Sequence, residues 1–244
     1  MTTTTVTARN YVAILALLAL GALFASLGAW QLRRADASRT TFEDFAARAV
    51  ETPLTALPNG FDETRRFRRI EVRGEYVPEP QVLLDNMLHD GAAGYHVLTA
   101  LRVAGRRELV LVNRGWVPLG ADRRALPDVA VDASARRIVG RLERMPRPGM
   151  RLGGEDAVAA GAATIVMQYP TAEDVERVLG QPVLDYQLLL DSTDVDGYVR
   201  EWRAPAIQPE RHLAYAGQWL ALAIGAVAAG VVIAWKTARK RHET

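Results

Sequence analysis

The sequence predicts an α+β membrane protein in which two terminal transmembrane helices flank a mainly antiparallel β domain, barrel- or sandwich-like in form. Three observations carry this reading. Residues 11–30 and 213–235 are apolar and uncharged, and each is long enough to cross a hydrocarbon core of ~30 Å as a helix. Between them, short runs of alternating apolar and polar residues recur between Gly, Pro and Asn turn signals. Helical spacing inside that middle segment is confined to two short stretches.

In chain order, residues 37–50 (ASRTTFEDFAARAV) put Phe42, Phe45, Ala46 and Ala49 on one helical face. They predict a short amphipathic helix that leaves the membrane and stops before Pro53. Residues 54–63 form a Pro/Asn/Gly loop. Strands then follow. Ile70, Val72, Gly74 and Tyr76 alternate with charged residues, and 81–87 forms a second strand after the break at Pro78 and Pro80. Segments 95–103 and 108–117 flank Gly105 as a hairpin. Segments 137–145, 164–169, 183–191 and 198–202 supply further strands. One helix, 171–179, is capped by Thr171 and stopped by Gly180 and Pro182. Seven or eight strands of this kind indicate a rolled or two-layered sheet. There is no internal repeat and no low-complexity tract.

The division along the chain is therefore a tail (1–10), a first span (11–30), the α+β domain (31–212), a second span (213–235) and a basic tail (236–244). Charge orients it. The first tail carries Arg9 and no acid, and the last carries Lys236, Arg239, Lys240 and Arg241 against Glu243. The positive-inside bias places both tails in the cytoplasm and the domain outside it, in a multi-pass protein of the plasma membrane. Arg33, Arg34 and Arg39 pull the other way, but a long loop translocates largely regardless of its charges. A second reading of the first apolar run is a signal peptide cleaved near residues 26–28.

Composition excludes several classes. The pI of 9.1 does not indicate nucleic-acid binding, because Arg alternates with Asp and Glu through the domain and the basic excess lies in the C-terminal tail. Only two of the thirty basic residues are Lys, a skew that makes any single Arg a weak functional signal. The absence of Cys removes disulfides, thiolate metal sites and Cys nucleophiles. There is no GxSxG, P-loop, HExxH or dinucleotide fingerprint, so no enzyme is expected. Gly91, Gly94, Gly153 and Gly154 read as loop glycines without the strand–loop–helix context of a phosphate site.

Four histidines remain: His89, His96, His212 and His242. His89 and His96, near Asp85 and Asp90, have a spacing that permits a metal, but two His with floating carboxylates are a weak signal and read first as satisfied surface or core histidines. His242 lies in the charged tail. His212 is set apart by its place, one residue before the second apolar run. Tyr215 and Trp219 follow at i+3 and i+7, on or near its helical face. One reading is a polar residue in an interfacial aromatic belt. The other is an axial ligand to haem iron, with Tyr215 and Trp219 as an apolar wall. Small residues recur at every fourth position on both spans, as Gly21, Ala25 and Ala29 and as Gly217, Ala221, Gly225 and Ala229. Such ridges predict close helix pairing, and pairing through the second ridge leaves the His212 face free.

Six segments then become recognisable in combination. They are LGAWQLRR (27–34), GEYVPEPQVLLDN (74–86), GYHVLTAL (94–101), LVLVNRGWVP (109–118), RIVGRLERMPRPG (137–149) and PERHLAYAGQWLALA (209–223). In this order, between two terminal spans, they resemble the surfeit-locus-protein family of cytochrome c oxidase assembly factors, over essentially the whole chain. The resemblance implies an extracytoplasmic central domain and a role in receiving or presenting haem a for oxidase subunit I. It implies as partners subunit I, the haem a synthesis machinery and the lipid bilayer, with no nucleic acid. It also implies that His212 is the proposed iron ligand; Arg211, a charge at the membrane boundary, is by its position the candidate for the propionates. Arg114 and Trp116 are candidates for a partner or propionate contact, against the alternative of a strand-end Arg packed on Trp. Two positions depart from the family pattern: Met87 follows Asp85-Asn86 where Arg is frequent, and Ala100 follows Thr99 where Pro is common. A scaffold that stabilises an oxidase intermediate without binding haem remains the other reading, and a membrane-anchored enzyme a third.

Overall fold

The structure is a computed structural model that describes residues 2–120, 122–123, 125–146 and 163–242. Gly153, Gly154 and the last three residues of the 137–149 segment lie outside the described residues. The chain divides into two units, residues 1–44 with 204–244 and residues 45–203.

The second unit is the β domain. Its strands are β1 (Arg69–Tyr76), β2 (Gln81–His89), β3 (Ala92–Val103), β4 (Leu109–Pro118), β5 (Ala135–Arg144), β6 (Thr164–Met167) and β7 (Val183–Leu190). They hydrogen-bond in the order β1-β5-β7-β4-β3-β2-β6, and β1 also pairs with β3. That extra pairing closes five strands into a barrel. The long β3 makes closure possible by serving two neighbours on one side. Its first half faces β2 through Gly94–Met87 and Leu98–Val82, and its end faces β1 through Leu101–Tyr76 and Val103–Gly74.

The seven-stranded sheet is mainly antiparallel, as expected, but two pairs, β4–β7 within the barrel and β2–β6 beyond it, are parallel. Parallel neighbours require a long crossover between them. The β4–β7 pair is reached only after β5, β6 and a helix, so adjacency in sequence gives no hint of it. The expected strand at 198–202 does not form: it contributes one isolated bridge, Val199 to Trp116. Gly115 there has φ +109°, and its backbone lies so close to the segment that a Cβ would stand 2.6 Å from the Val199 carbonyl. Backbone bonds still tie the segment to β4, from Tyr198 N–H to the Arg114 carbonyl and both ways between Trp116 and Val199. Arg200 folds back to donate to the carbonyls of Asp191 and Asp194, both at 2.6 Å. Gly94, expected in a loop, is a buried residue of β3.

β4 is buried on both faces along nearly its whole length, which explains its near-continuous apolar sequence. Val110 and Val112 join Ile70, Tyr76, Ile138, Tyr186 and Leu188 in one cluster. Leu109 and Leu111 join Val82, Leu84, Leu98 and Met167 in another. The short helix α2 (Ala172–Leu179) covers this second cluster with Val175. A reciprocal Thr171–Asp174 capping box starts it and Gly180, at φ +64°, ends it.

The first unit consists of long helices. Helix α1 runs unbroken over Thr2–Val50, so the span and the amphipathic stretch expected at 37–50 are one helix. Residues 31–50 contain no Gly or Pro to interrupt it. Helix α3 covers Pro209–His242. Both are long and apolar enough to cross a bilayer.

Candidate functional site

Within the first unit α1 and α3 pack antiparallel. Gly21 and Gly28 are the close-approach points. A Cβ on Gly21 would meet Val227 Cγ2 at 3.1 Å, and one on Gly28 would meet the Ala216 carbonyl and Trp219 Cβ at 3.6 Å. On α3 the buried stripe is Ala216, Ala223, Ala226 and Gly230, at the three-four spacing of a helix seam. The expected ridge of Gly217, Ala221, Gly225 and Ala229 is not the packing face. Both of its glycines have open space where a side chain would stand. In an Ala-rich helix two adjacent stripes are equally small, and the one that packs is the one that also brings larger groups into register.

His212 is one of those groups. Pro209 opens α3 at the position where a missing N–H costs nothing, and His212 follows in the first turn, four residues before Ala216. Its side chain is half-buried and therefore lies on the packing face rather than on a free one. Its Nδ1 stands 2.8 Å from Gln31 Oε1 of α1. A glutamine Oε1 can only accept, so Nδ1 carries the proton and donates. Among the described residues no hydrogen bond occupies Nε2.

Trp219 stacks on Phe24 with ring centroids 5.6 Å apart and 30° between planes, so it helps to hold the hairpin together. Tyr215 is 53% exposed and Arg211 is also exposed. The far end of the hairpin has its own polar tie, Asn10 Nδ2 donating to Thr237 Oγ1 at 3.0 Å. Gln31 escaped the sequence reading. Its signal was its position, three residues after Gly28 and ten after Gly21, on the helical face that packs.

Arg114 and Trp116 belong to the other unit and have different surroundings. Arg114 is 4% exposed and Trp116 8%. The Arg114 Nε donates to the Asp196 carbonyl at 2.8 Å and Nη1 to the Val129 carbonyl at 3.0 Å. The guanidinium also lies over the Tyr76 and Tyr198 rings, 5.7 and 5.1 Å from their centroids. The packing partners of Arg114 are thus two tyrosines rather than Trp116, and it sits inside β4, not at its end. Trp116 donates its indole N–H to the Met87 carbonyl at 3.0 Å and tilts against His89.

Beside them, Asn113 donates to Gln187 Oε1 at 3.1 Å and lies 3.3 Å from His96 Nδ1. Burial, with a smaller effect from His89, pushes His96 down to about 4. It is a partly buried imidazole, packed edge-on against Trp202. His89 pairs with Asp90 at 3.6 Å. Among the described residues no three His, Asp or Glu side chains converge to hold a metal ion.

Comparison with known proteins agrees with the geometry in extent. Residues 18–224 match the SURF1 family, a stretch that begins inside α1 and ends inside α3. The yeast (Saccharomyces cerevisiae) cytochrome oxidase assembly protein SHY1 is 25% identical over 179 residues, 69% of this chain and 44% of that protein. A SURF1-like protein of Drosophila melanogaster is 26% identical over 109 residues, 37% of this chain and 36% of that protein. The chain thus spans less than half the length of either relative.

Proposed function

The chain belongs to the SURF1 family, and we propose that it is a cytochrome oxidase assembly factor that assists delivery or insertion of haem a into oxidase subunit I. In this reading α1 and α3 cross the cytoplasmic membrane, both termini lie in the cytoplasm, and the barrel is extracytoplasmic. The role is non-catalytic, with subunit I and the haem a synthesis machinery as partners. The resemblance of a yeast relative described as a cytochrome oxidase assembly protein supports the assembly role.

One observation supports the haem role: an imidazole at the start of α3 with Nδ1 held by a carbonyl and Nε2 without a hydrogen bond among the described residues. The donor set fits an a-type haem, which would supply an iron that accepts an axial imidazole nitrogen and propionates that accept cations. His212 offers the nitrogen. Arg211, the preceding residue, offers an exposed charge, and Tyr215 an exposed aromatic ring one turn on. Trp219 is already stacked on Phe24, so it holds the helix that carries His212. A helix end where an apolar segment meets polar sequence suits a cargo with a lipid-seeking tail and charged propionates. A single neutral imidazole is also a ligand from which a carrier can release its cargo.

The test is the haem content of the full-length protein purified in detergent from cells that make haem a. The wild type is expected to carry a-type haem and His212→Ala to carry at least about tenfold less. Equal haem in both overturns the assignment of His212. Absence of haem from both, with subunit I still copurifying, supports the scaffold reading instead.

A further inference from the structure

We propose that Gln31 is the positioning residue for His212. It holds the imidazole as the Nδ1-protonated tautomer and leaves Nε2 as the nitrogen able to bind a metal. This rests on the reading of His212 as a haem ligand, but its first step is a property of the unliganded protein.

Neutral imidazole in water samples both tautomers, and only one nitrogen at a time has a lone pair to give. A fixed acceptor on one nitrogen settles which. The structure supplies that acceptor from the opposite helix, at 2.8 Å, and supplies the means of keeping it there. Gln31 lies one turn beyond Gly28, where α1 comes close to the Ala216 carbonyl and Trp219 Cβ of α3. The Phe24–Trp219 stack fixes the next turn. The ligand's tautomer is therefore coupled to helix packing: a hairpin that separates also frees the imidazole.

The chemical type of the acceptor matters as well. Outer-sphere acceptors raise the basicity of a ligating histidine, and a carboxylate would do so more strongly than a neutral amide. Gln31 thus orients His212 while keeping it a moderate ligand, the property a carrier needs.

The experiment uses the full chain in detergent micelles with ¹⁵N-labelled histidine. The His212 signals are identified by their loss in His212→Ala. Long-range proton–nitrogen spectra of the haem-free protein are expected to show Nδ1 protonated and Nε2 unprotonated in the wild type. Gln31→Glu, which keeps an acceptor, should retain this pattern, whereas Gln31→Leu should shift the population toward Nε2–H. A wild-type His212 that is protonated on Nε2, or a pattern unchanged by Gln31→Leu, overturns the proposal.

Haemin titration then provides the second readout. Gln31→Leu is expected to bind about 10- to 100-fold more weakly than wild type, with Gln31→Glu restoring affinity and giving a shifted Soret spectrum. Equal affinity in wild type and Gln31→Leu overturns the positioning role while leaving His212 as ligand. Equal affinity in wild type and His212→Ala overturns the ligand reading, and the nitrogen spectra still decide the tautomer.

Discussion

The barrel and the helix hairpin both carry polar residues in distinctive motifs, yet they use them in opposite ways. In the barrel, the Asn113-Arg114-Gly115-Trp116 run is turned inward. Arg114 donates to two carbonyls, Trp116 to a third, and Asn113 to Gln187. These bonds satisfy groups that would otherwise be buried unpaired, and they fix the path of β4 through the centre of the sheet. In the hairpin, the Gln31–His212 contact satisfies one imidazole nitrogen and leaves the other without a hydrogen bond among the described residues. A motif can therefore be distinctive because a fold needs it or because a ligand does. The difference shows in whether every strong donor or acceptor is already matched.

If this division is right, stability should reside in the barrel and cargo binding in the hairpin, and three perturbations should separate them. The largest effect on stability is expected from Gly94→Val. A Cβ there would overlap the Val117 carbonyl and the Trp116 indole, the first being backbone of the paired strand β4 and the second hydrogen-bonded to the Met87 carbonyl. The cost should reach ~4 kcal/mol or more, seen as loss of protease resistance in residues 45–203 of the full chain. Near-normal resistance would show that the strands tolerate separation and that the inward motif is not rigid.

A smaller effect is expected from acid. The folded pKa of His96, about 4, lies below its ordinary value of 6.5. The unfolded chain therefore takes up a proton that the folded barrel refuses. This contribution to stability is fully present above pH 6.5, falls as pH drops toward 4 and is gone below it. The total is roughly 3 kcal/mol. Denaturant midpoints measured across that window should fall, and His96→Gln should flatten the profile. An unchanged slope in the variant would assign the acid sensitivity to other groups.

The smallest effect on stability is expected at the site itself. His212→Ala should leave the barrel's denaturation midpoint within ~0.5 kcal/mol of wild type, even as bound haem is lost. A large destabilisation would mean that the two regions are not separable in this way.

Much of this arrangement was legible in the sequence because it is local. The alternation in β1, the Gly105 turn between β3 and β4 and the Thr171 cap of α2 each follow from a few adjacent residues. What was not legible depends on which surfaces meet. Closure of the barrel by β1–β3 and the parallel β4–β7 pair are matters of tertiary register. The helix seam was misassigned for the same reason. The stripe through Gly217 and Gly225 is as small as the one through Ala216 and Ala223, and only the second aligns His212 with Gln31. A hydrogen bond across 181 residues of sequence leaves no periodic trace, so the partner of the most conspicuous histidine could not be read from its neighbours.

The most direct test of the central claim is the ratio of haem a to oxidase subunit I in membranes that lack this chain. Difference spectra and immunoblots would supply it, after complementation with wild type or with His212→Ala. A depressed ratio restored by the wild type and not by His212→Ala is the predicted result. A ratio that is normal without the chain, together with normal oxidase activity, would contradict it.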